Sequence, residues 1–407
     1  MWNLSGFLWP VSRRVASLYR SAFLRKTRIV VVVGSFGKTT TARATACAMG
    51  LKDRQRIRGN ALSAVAMAVL RTRPKDSHAV IEAGISKEGM MENYAAMIRP
   101  DVAVVTSIGS EHMTSLKSLD VTRREKFRMV EILPSSGIAV LNGDDPNVRW
   151  MKERSPARTV LYGLDKENDV YASDIRLDWP HGSRFKLHLE GKVHDVRVRL
   201  FGKYMVYPIL AAVTTAYVEG RSVERAISVL GELEPTQNRM ELFRLSNGAF
   251  VLLDAFKSQL ETVEAALEVF AEVPAERRTV VIGQITEPPG SLGQIWRDLG
   301  RRIAEIASRA VYLGPKKEFA RLRVGATSEG MPSESLSHVG RSVSRAIELV
   351  KGDLHPGEVI LLKGRYEQRL ERVALALSGR RVECDQVLCF VKGLRCRSCE
   401  RLSGKGK

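Results

Sequence analysis

The sequence has no long apolar run. None of its stretches approaches the roughly 18 consecutive apolar residues that a membrane-spanning helix needs, and its longest apolar stretches are the length of a strand. It also shows no secretory leader, because the first basic residues, Arg13 and Arg14, follow the apolar opening instead of preceding it. We therefore expect a cytoplasmic protein.

Aromatic residues are also few, at 6% of the chain, and the 64 Lys and Arg residues are scattered. A net charge of +19 suits a nucleic acid, an anionic membrane or a polyanionic substrate. A nucleic-acid surface usually interleaves basic and aromatic residues, and no stretch of this sequence does so. We interpret the charge as arginines spread over every surface, and we expect no nucleic-acid partner.

Cysteine is scarce, but four of the five cysteines lie in a basic tail, residues 383–407: Cys384, Cys389, Cys396 and Cys399. One C-x-x-C and one C-x4-C can close a tetrahedral thiolate site around Zn²⁺, and the neighbouring arginines favour thiolates. Alternatively, Cys384 and Cys389 lie in a strand, where cysteine acts as a small hydrophobe. Disulfides are less expected in an intracellular chain.

Acidic residues are absent from residues 1–27, which hold five basic residues and several aromatic ones. From Val11 onward the apolar positions recur at helical spacing, with cations on the other face. Such a helix can lie in a membrane interface, here the inner membrane face. It can equally pack against the first domain of its own chain, and the sequence leaves both alternatives open.

Strand and helix patterns alternate in a predicted central domain, residues 28–238. The predicted strands are 28–33, 78–83, 101–107 and 138–142, and the helices are 39–50, 61–71, 88–98 and 118–132. This alternation is typical of an α/β fold with a doubly wound parallel sheet. Residues 169–200 alternate with period two and predict a small antiparallel addition, followed by a helix at about 204–219.

A second α/β unit is predicted over residues 239–382, after a stretch with Pro, Asn and Gln that reads as a linker. Its predicted strands are near 249–253, 279–283, 309–313 and 358–362, and its helices near 259–271, 292–308, 341–351 and 367–378. We expect a Rossmann-like C-terminal domain.

The stretch "RIVVVVGSFGKTTTARA", residues 28–44, has the layout of a phosphate-binding loop (P-loop). An apolar strand leads to Gly34, and Gly37 then opens a helix, so that backbone N–H groups point at an anion. The spacing is shorter than G-x-x-x-x-G-K-[ST], because Val32 stands five residues before Gly37.

Other chemically active residues fall near the carboxyl ends of the predicted strands, where open α/β sheets bind ligands. Glu82 closes the second strand, Glu111 and His112 follow the third, and Lys126 lies in the next helix. A lysine, a hydroxyl, a carboxylate and an imidazole in one crevice indicate a nucleotide–Mg²⁺ site. Taken singly, each of these residues could have a purely structural role. Only their joint order along the chain favours a functional role.

The sequence resembles the Mur ligases, ATP-dependent amide-bond-forming enzymes, and their folylpolyglutamate and cyanophycin synthetase relatives. The similar motifs occur in the family's order: "GSFGKTTT" at 34–41, "EAG" at 82–84, "DVAVVTSIGSEHM" at 101–113, "EKF" at 125–127, "AVLNGDDP" at 139–146, "NRME" at 238–241 and "VILLKGRYEQRLERV" at 359–373.

The resemblance implies roles for individual residues. Lys38, His112 and Lys126 are the implied catalytic residues, and Lys126 matches a lysine that these ligases often carbamylate. The implied Mg²⁺ ligands are Thr39, Glu82, His112 and Lys126. The implied ATP-binding residues are Gly34, Ser35, Gly37, Lys38, Thr39, Thr40, Arg239 and Asp254. The implied reaction phosphorylates a carboxylate, and an amine then displaces the phosphate as the C-terminal domain closes.

The sequence departs from the family in two places. The strand into the loop begins near residue 28, which leaves no room for the family's UDP-binding domain, so we expect a substrate other than a UDP-muramoyl peptide. The family's nucleotide-holding segments appear as "GKYMVYPILAA" at 202–212 and "FKSQL" at 256–260, with Tyr204 for histidine and Lys257 for an adenine contact. The base preference is therefore open.

Three functions fit these observations. The first is an ATP-dependent carboxylate–amine ligase for a small-molecule or peptide substrate. The second is a polymerising ligase at the membrane, similar to poly-γ-glutamate synthetases. The third is a nucleotide-binding scaffold without catalysis. A partner protein is expected to use the cysteine-containing tail or the N-terminal helix.

Overall fold

The computed structural model describes residues 8–51, 62–391 and 396–404. The chain forms two compact units, Met1–Glu234 and Pro235–Lys407. Within the described ranges, no helix is both long enough and apolar enough to cross a bilayer.

The first unit is built on one eight-stranded sheet, in the order β2-β1-β3-β4-β5-β6-β7-β8. In this order the first five neighbouring pairs are parallel, and the last two pairs are antiparallel. The strands are β1 Arg28–Val33, β2 His78–Glu82, β3 Val102–Val105, β4 Ile138–Asn142, β5 Arg158–Gly163, β6 Val170–Asp178, β7 Gly182–Leu189 and β8 Lys192–Val198. The near-continuous apolar runs of β1 to β4 fit a sheet covered on both faces, and the predicted doubly wound fold is confirmed.

Helices cover both faces of this sheet. They are α1 Trp9–Phe23, α2 Lys38–Ala48, α3 Ser63–Arg71, α4 Met90–Ile98, α5 Met113–Leu116, α6 Leu119–Glu131, α7 Pro146–Arg149, α8 Val206–Val218 and α9 Val223–Gly231. The core of the unit packs β1, β3 and β4 against α3, α4 and α6. The sequence missed β5, but the predicted antiparallel addition is present as β6, β7 and β8, the ribbon.

One buried arginine fastens α1 to its own domain. Arg20 donates to the carbonyl oxygens of Ile98 (3.0 Å), Thr27 (3.0 Å) and Arg99 (2.9 Å), to that of Leu24, and to Asp101 Oδ2 (3.0 Å). Burial lowers the pKa of Arg20, and Asp101 opposes that shift. The alternative of a helix packed on the first domain is therefore confirmed; residues 1–7 lie outside the described residues.

The second unit holds a six-stranded sheet in the order β13-β12-β11-β14-β10-β9, parallel except for the β9–β10 pair. Its strands are β9 Glu241–Arg244, β10 Phe250–Asp254, β11 Arg277–Ile282, β12 Arg309–Tyr312, β13 Leu336–His338 and β14 Glu358–Lys363. Its helices are α10 Leu260–Glu272, α11 Leu292–Ile306, α12 Lys316–Ser328, α13 Val343–Gly352 and α14 Glu371–Leu377. The predicted Rossmann-like architecture is confirmed, although β9, β13 and α12 were not predicted.

The cysteine-containing tail packs against α14 without forming a strand. Buried Arg372 donates to the carbonyl oxygens of Cys384 (2.6 Å) and Gln386 (2.7 Å), and the Cys396 N–H donates to Glu371 Oε1 (2.7 Å). The predicted strand over Cys384 and Cys389 is wrong, because residues 380–391 have no strand. These polar anchors to α14 take the place of ladder hydrogen bonds.

The zinc hypothesis for the tail is not supported. All four of its cysteines belong to the described residues, among which no group of three or more His, Cys, Asp or Glu side chains is placed to hold a metal ion. Burial raises the pKa of Cys396, and the neighbouring Glu371 adds to the shift. Both effects disfavour the thiolate, which is the form that binds zinc.

We predict that Arg20→Met destabilises the first unit by about 2–4 kcal/mol, because several buried carbonyl groups lose their donor. Chemical denaturation followed by circular dichroism measures the loss. Arg14→Met, an exposed position on the same helix, is the matched control and should change the free energy of unfolding by less than about 0.5 kcal/mol. Equal stabilities of the two variants would show that Arg20 does not fasten the helix.

Candidate functional site

At two positions in the loop between β1 and α2, the backbone adopts a conformation that favours glycine. Gly34 has φ +146°, and a Cβ atom there would lie 1.9 Å from Thr106 Oγ1. Gly37 has φ +78° and is the residue before the first turn of α2. The close approach at Gly34 and the left-handed turn at Gly37 together lead the chain from a buried strand directly into a helix N-terminus. That N-terminus can bind an anion through its backbone N–H groups.

The segment after β3, residues 106–109, holds the loop in place. Ser35 N–H donates to Ser107 O (2.7 Å), and Thr106 Oγ1 donates to Phe36 O (2.6 Å). Gly109 N–H donates to Ser35 Oγ (2.9 Å). Because β1 and β3 are neighbours in the sheet, their carboxyl ends bring these two segments together. The loop is thus preorganised by protein contacts.

Lys38 lies within the loop and is buried. Its ammonium donates to Gly34 O (2.8 Å), Ser35 O (2.8 Å) and Glu111 Oε2 (2.9 Å). The Lys38–Glu111 pair is almost fully shielded, with side-chain exposures of 7% and 6%. A buried ammonium needs such partners, because an unpaired charge in the interior is very costly.

Two side-chain oxygens that could hold a cation lie at the start of α2 and the end of β2. Thr39 Oγ1 donates to Glu82 Oε1 at 3.1 Å. Mg²⁺ prefers oxygen ligands and usually takes only one or two protein carboxylates, with phosphates and water completing its shell. Thr39 and Glu82 therefore fit a Mg²⁺ ion that is also bound by a nucleotide. In the described part of the chain, Glu82 and His112 do not belong to a group of three or more His, Cys, Asp or Glu side chains placed to hold a metal ion.

Lys126 and His112 border the same loop. Lys126 is buried on α6, and its Nζ donates to Ser35 Oγ (3.1 Å). His112 has φ +61° and is partly exposed, with Nε2 3.8 Å from Glu111 Oε1. Burial raises the pKa of Asp145, which accepts backbone N–H bonds, and nearby Lys126 opposes the shift. The structure therefore places Lys38, Thr39, Glu82, His112 and Lys126 around one loop, and their roles in binding and catalysis stay predictions.

Two further predicted residues lie in the second unit. Asp254 ends β10 and accepts from buried Lys363 at 2.5 Å. Burial lowers the pKa of Lys363, and Asp254 opposes that shift. The Arg239 guanidinium lies over the Phe256 ring, 4.6 Å from its centroid. Asp254 is thus the counter-ion of a buried lysine, a structural role that the sequence did not indicate.

Sequence reasoning missed the part played by Glu111. It was noted beside His112 but given no role, whereas in the structure it is the carboxylate partner of Lys38. It also missed Asn142, whose amide donates to Thr106 O (2.8 Å) and steadies the segment against the loop. The position of Asn142 at the carboxyl end of a predicted strand was the available signal.

Comparison with known proteins gives two family matches that follow one another along the chain. The model of the Mur ligase middle domain matches residues 32–216, and that of the Mur ligase glutamate ligase domain matches residues 238–366. The phosphate loop and the residues around it lie in the first match, and Arg239 and Asp254 lie in the second.

Similar curated proteins include the UDP-N-acetylmuramoyl-tripeptide–D-alanyl-D-alanine ligases of Mycobacterium tuberculosis and Bacillus subtilis. The mycobacterial protein is 28% identical over 330 residues, covering 76% of this chain and 64% of that protein. The Bacillus protein is 25% identical over 356 residues, covering 85% and 75%. The chain thus spans just under two thirds of the length of the mycobacterial relative.

Solved structures with this fold include MurF from Acinetobacter baumannii, with a TM-score of 0.79 and 22% identity over 91% of this chain and 80% of that one. MurF from Thermotoga maritima in complex with ADP has a TM-score of 0.77 and 18% identity, covering 91% and 83%. At these identities the likeness shows the fold.

We predict that Gly34→Ala weakens nucleotide binding at least tenfold, because the added methyl group displaces Thr106 and the segment that holds the loop. Calorimetry with ATP–Mg²⁺ measures the effect. Gly89→Ala is the matched control: it also has positive φ (+77°) but open space around a Cβ atom, so it should lower stability by about 1 kcal/mol and leave affinity unchanged. Equal affinities in the two variants would contradict the close approach.

Proposed function

Because this chain belongs to the Mur ligase family, we propose that it is an ATP-dependent ligase that joins a carboxylate to an amine. In the proposed reaction the substrate carboxylate attacks the terminal phosphate of ATP, giving an acyl phosphate and ADP. The amine then attacks the acyl carbon, the C–O bond to phosphate breaks, and an amide, phosphate and a proton are released.

The buried ammonium of Lys38 is the observation that carries this proposal. It is fixed in the loop by two carbonyl groups and Glu111, next to the backbone N–H groups that begin α2. An ammonium has three N–H donors, so a phosphate oxygen would replace one of these acceptors, and the buried positive charge would then stabilise the negative charge that develops on a transferred phosphoryl group. We assign the phosphate contacts to the loop residues Gly34, Ser35, Gly37, Thr39 and Thr40 together with Lys38.

The oxygens of Thr39 and Glu82 are the proposed protein ligands of Mg²⁺, with His112 at the border of the site. The metal supplies neutralisation of the phosphate charge. Lys126 is proposed to carry a carbamate, formed when its neutral amine adds CO₂ and loses a proton. Its burial beside Ser35 supports this role. Arg239 and Asp254 are the proposed nucleotide contacts of the second unit.

We further propose a carboxylate substrate other than a UDP-muramoyl peptide. Colorimetric phosphate release tests this directly. UDP-N-acetylmuramoyl-tripeptide with D-alanyl-D-alanine is one arm, and panels of other carboxylates and amines form the other. Turnover in the first arm contradicts the substrate proposal and leaves the ligase proposal intact.

We predict that Lys38→Ala lowers the affinity for ATP–Mg²⁺ at least 100-fold, because the phosphates lose a buried cation. Calorimetry of the two proteins measures the loss, with GTP in parallel because the base preference is open. Arg43→Ala is the control, because it also removes one cation from helix α2. It should change the affinity for ATP–Mg²⁺ less than threefold.

Three outcomes discriminate the functions. The ligase is supported if the native protein binds ATP or GTP, Lys38→Ala loses this binding, and some carboxylate–amine pair gives nucleotide-dependent phosphate release. Products of several lengths from one amino acid favour the polymerising ligase. Nucleotide binding without phosphate release across the panels favours the scaffold and contradicts the proposed enzyme.

We also propose that α1 makes a peripheral contact with an anionic membrane. Its outward face carries an apolar stripe, Leu8, Val11, Val15 and Leu18, with exposures of 47%, 63%, 48% and 71%. Exposed Arg14 adds positive charge to this helix, and residues 8–51 contain no acidic side chain. Apolar side chains with flanking cations are the pattern of an interfacial helix.

We predict that the double variant Val11→Ser/Leu18→Ser binds phosphatidylglycerol vesicles about tenfold more weakly, since two side chains no longer enter the interface. Vesicle co-sedimentation measures the partition. Val193→Ser/Val324→Ser removes two exposed valines elsewhere and should bind like the native protein. Equal binding by both double variants contradicts the contact.

A further inference from the structure

A row of three arginines crosses the ribbon. Arg176 of β6 lies directly opposite Arg184 of β7, and Arg184 lies directly opposite Arg197 of β8. All three are exposed and share one face of the sheet. Like charges directly opposite each other destabilise a sheet. A row of three arginines is therefore unexpected unless the charges bind an anion.

A β-bulge creates the row. The pairing of β6 with β7 shifts between Ser173 and Arg176, and Asp174 takes φ +52° there. Without the extra residue, the register would place Ile175 opposite Arg184 and turn Arg176 to the other face. Bulges commonly re-aim a side chain in this way. The bulge therefore places a third positive charge on this face of the sheet. Regular pairing would have placed Ile175 there instead.

The three guanidinium groups are not neutralised by neighbouring carboxylates. In the part of the chain that the structure describes, none of them forms an ion pair or a side-chain hydrogen bond. Two nearby cations are paired: Lys186 Nζ of β7 lies 3.3 Å from Asp174, and Arg199, the residue after β8, pairs with Glu232 and Glu234. The row is thus a local excess of positive charge.

The row lines a shallow cleft of about 390 Å³. The charged residues around it comprise four cations and two anions, a net charge of +2: Arg176, Arg184, Lys186, Arg197, Asp174 and Asp195. Neighbouring strands lie about 4.8 Å apart, so the row extends over about 10 Å. Arginine forks bind phosphate oxygens in pairs, so three forks side by side suit an anion that carries more than one phosphate.

The row is separate from the phosphate loop. In the sheet order, β3, β4 and β5 lie between β1 and β6, a lateral distance of about 19 Å at ordinary strand spacing. Beyond Tyr171, β6 also continues past its last pairing with β5.

We propose that Arg176, Arg184 and Arg197 form a second anion site, which binds the diphosphate group of a soluble ligand. This site goes beyond the ligase function and does not depend on it. Phosphates of membrane headgroups offer the same chemistry, and the experiment separates the two sources.

The test is calorimetric titration with inorganic pyrophosphate at 150 mM salt, on native protein, Arg184→Gln and Lys192→Gln. Lys192 is an exposed cation at the end of the same ribbon, outside the row, and is the matched control. Lys38→Ala, titrated in parallel, identifies binding at the phosphate loop. We expect Arg184→Gln to weaken the loop-independent binding at least tenfold and Lys192→Gln to change it less than twofold.

Thermal unfolding gives a second readout that also reports folding. Arg184→Gln should raise the melting temperature of the ligand-free protein, because like charges are removed, and should lose the further rise that pyrophosphate gives native protein. Arg176→Gln should repeat both effects. The proposal is overturned if native protein and Arg184→Gln bind pyrophosphate equally, if only the loop binds it, or if phosphatidylglycerol vesicles bind through the row while pyrophosphate does not.

Discussion

A single buried charge organises the site of the first unit. The ammonium of Lys38 cannot remain in the interior without acceptors, and it takes them from the loop backbone and from Glu111. Glu111 follows β3, so the pair ties the carboxyl ends of β1 and β3 together. The Ser35 hydroxyl extends the same network to Lys126 on α6. The parallel order of the strands is what allows these groups to meet.

The second unit repeats this solution with different residues. Buried Lys363 ends β14 and is matched by Asp254 at the end of β10, and these two strands are neighbours. In each unit a lysine–carboxylate pair joins the carboxyl ends of adjacent parallel strands. A buried pair of this kind is weak evidence for stability, since desolvation offsets attraction. It does, however, fix the positions of the groups at this edge of each sheet.

Much of this could be predicted from the sequence, for reasons that also explain what was missed. Fully buried parallel strands appear in the sequence as apolar runs such as "RIVVVV". Glycine and lysine at fixed spacing predict a phosphate-binding loop. By contrast, β13 has only three residues, and α12 contains a glycine and threonine that weaken its helical pattern. The partnership of Lys38 with Glu111 and the register shift at Asp174 depend on tertiary pairing, which no local pattern records.

The position of β1 in the sheet has a consequence during synthesis on the ribosome. β1 pairs on one side with β2 and on the other with β3, which ends at Val105. Its valine-rich segment therefore leaves the ribosome well before either partner exists, and at about 5–20 residues per second it waits some seconds for them. The ribbon, whose strands are consecutive, can pair as soon as it emerges. The nascent chain thus exposes the valine-rich β1 until its partners emerge, and this interval is when a chaperone would protect it.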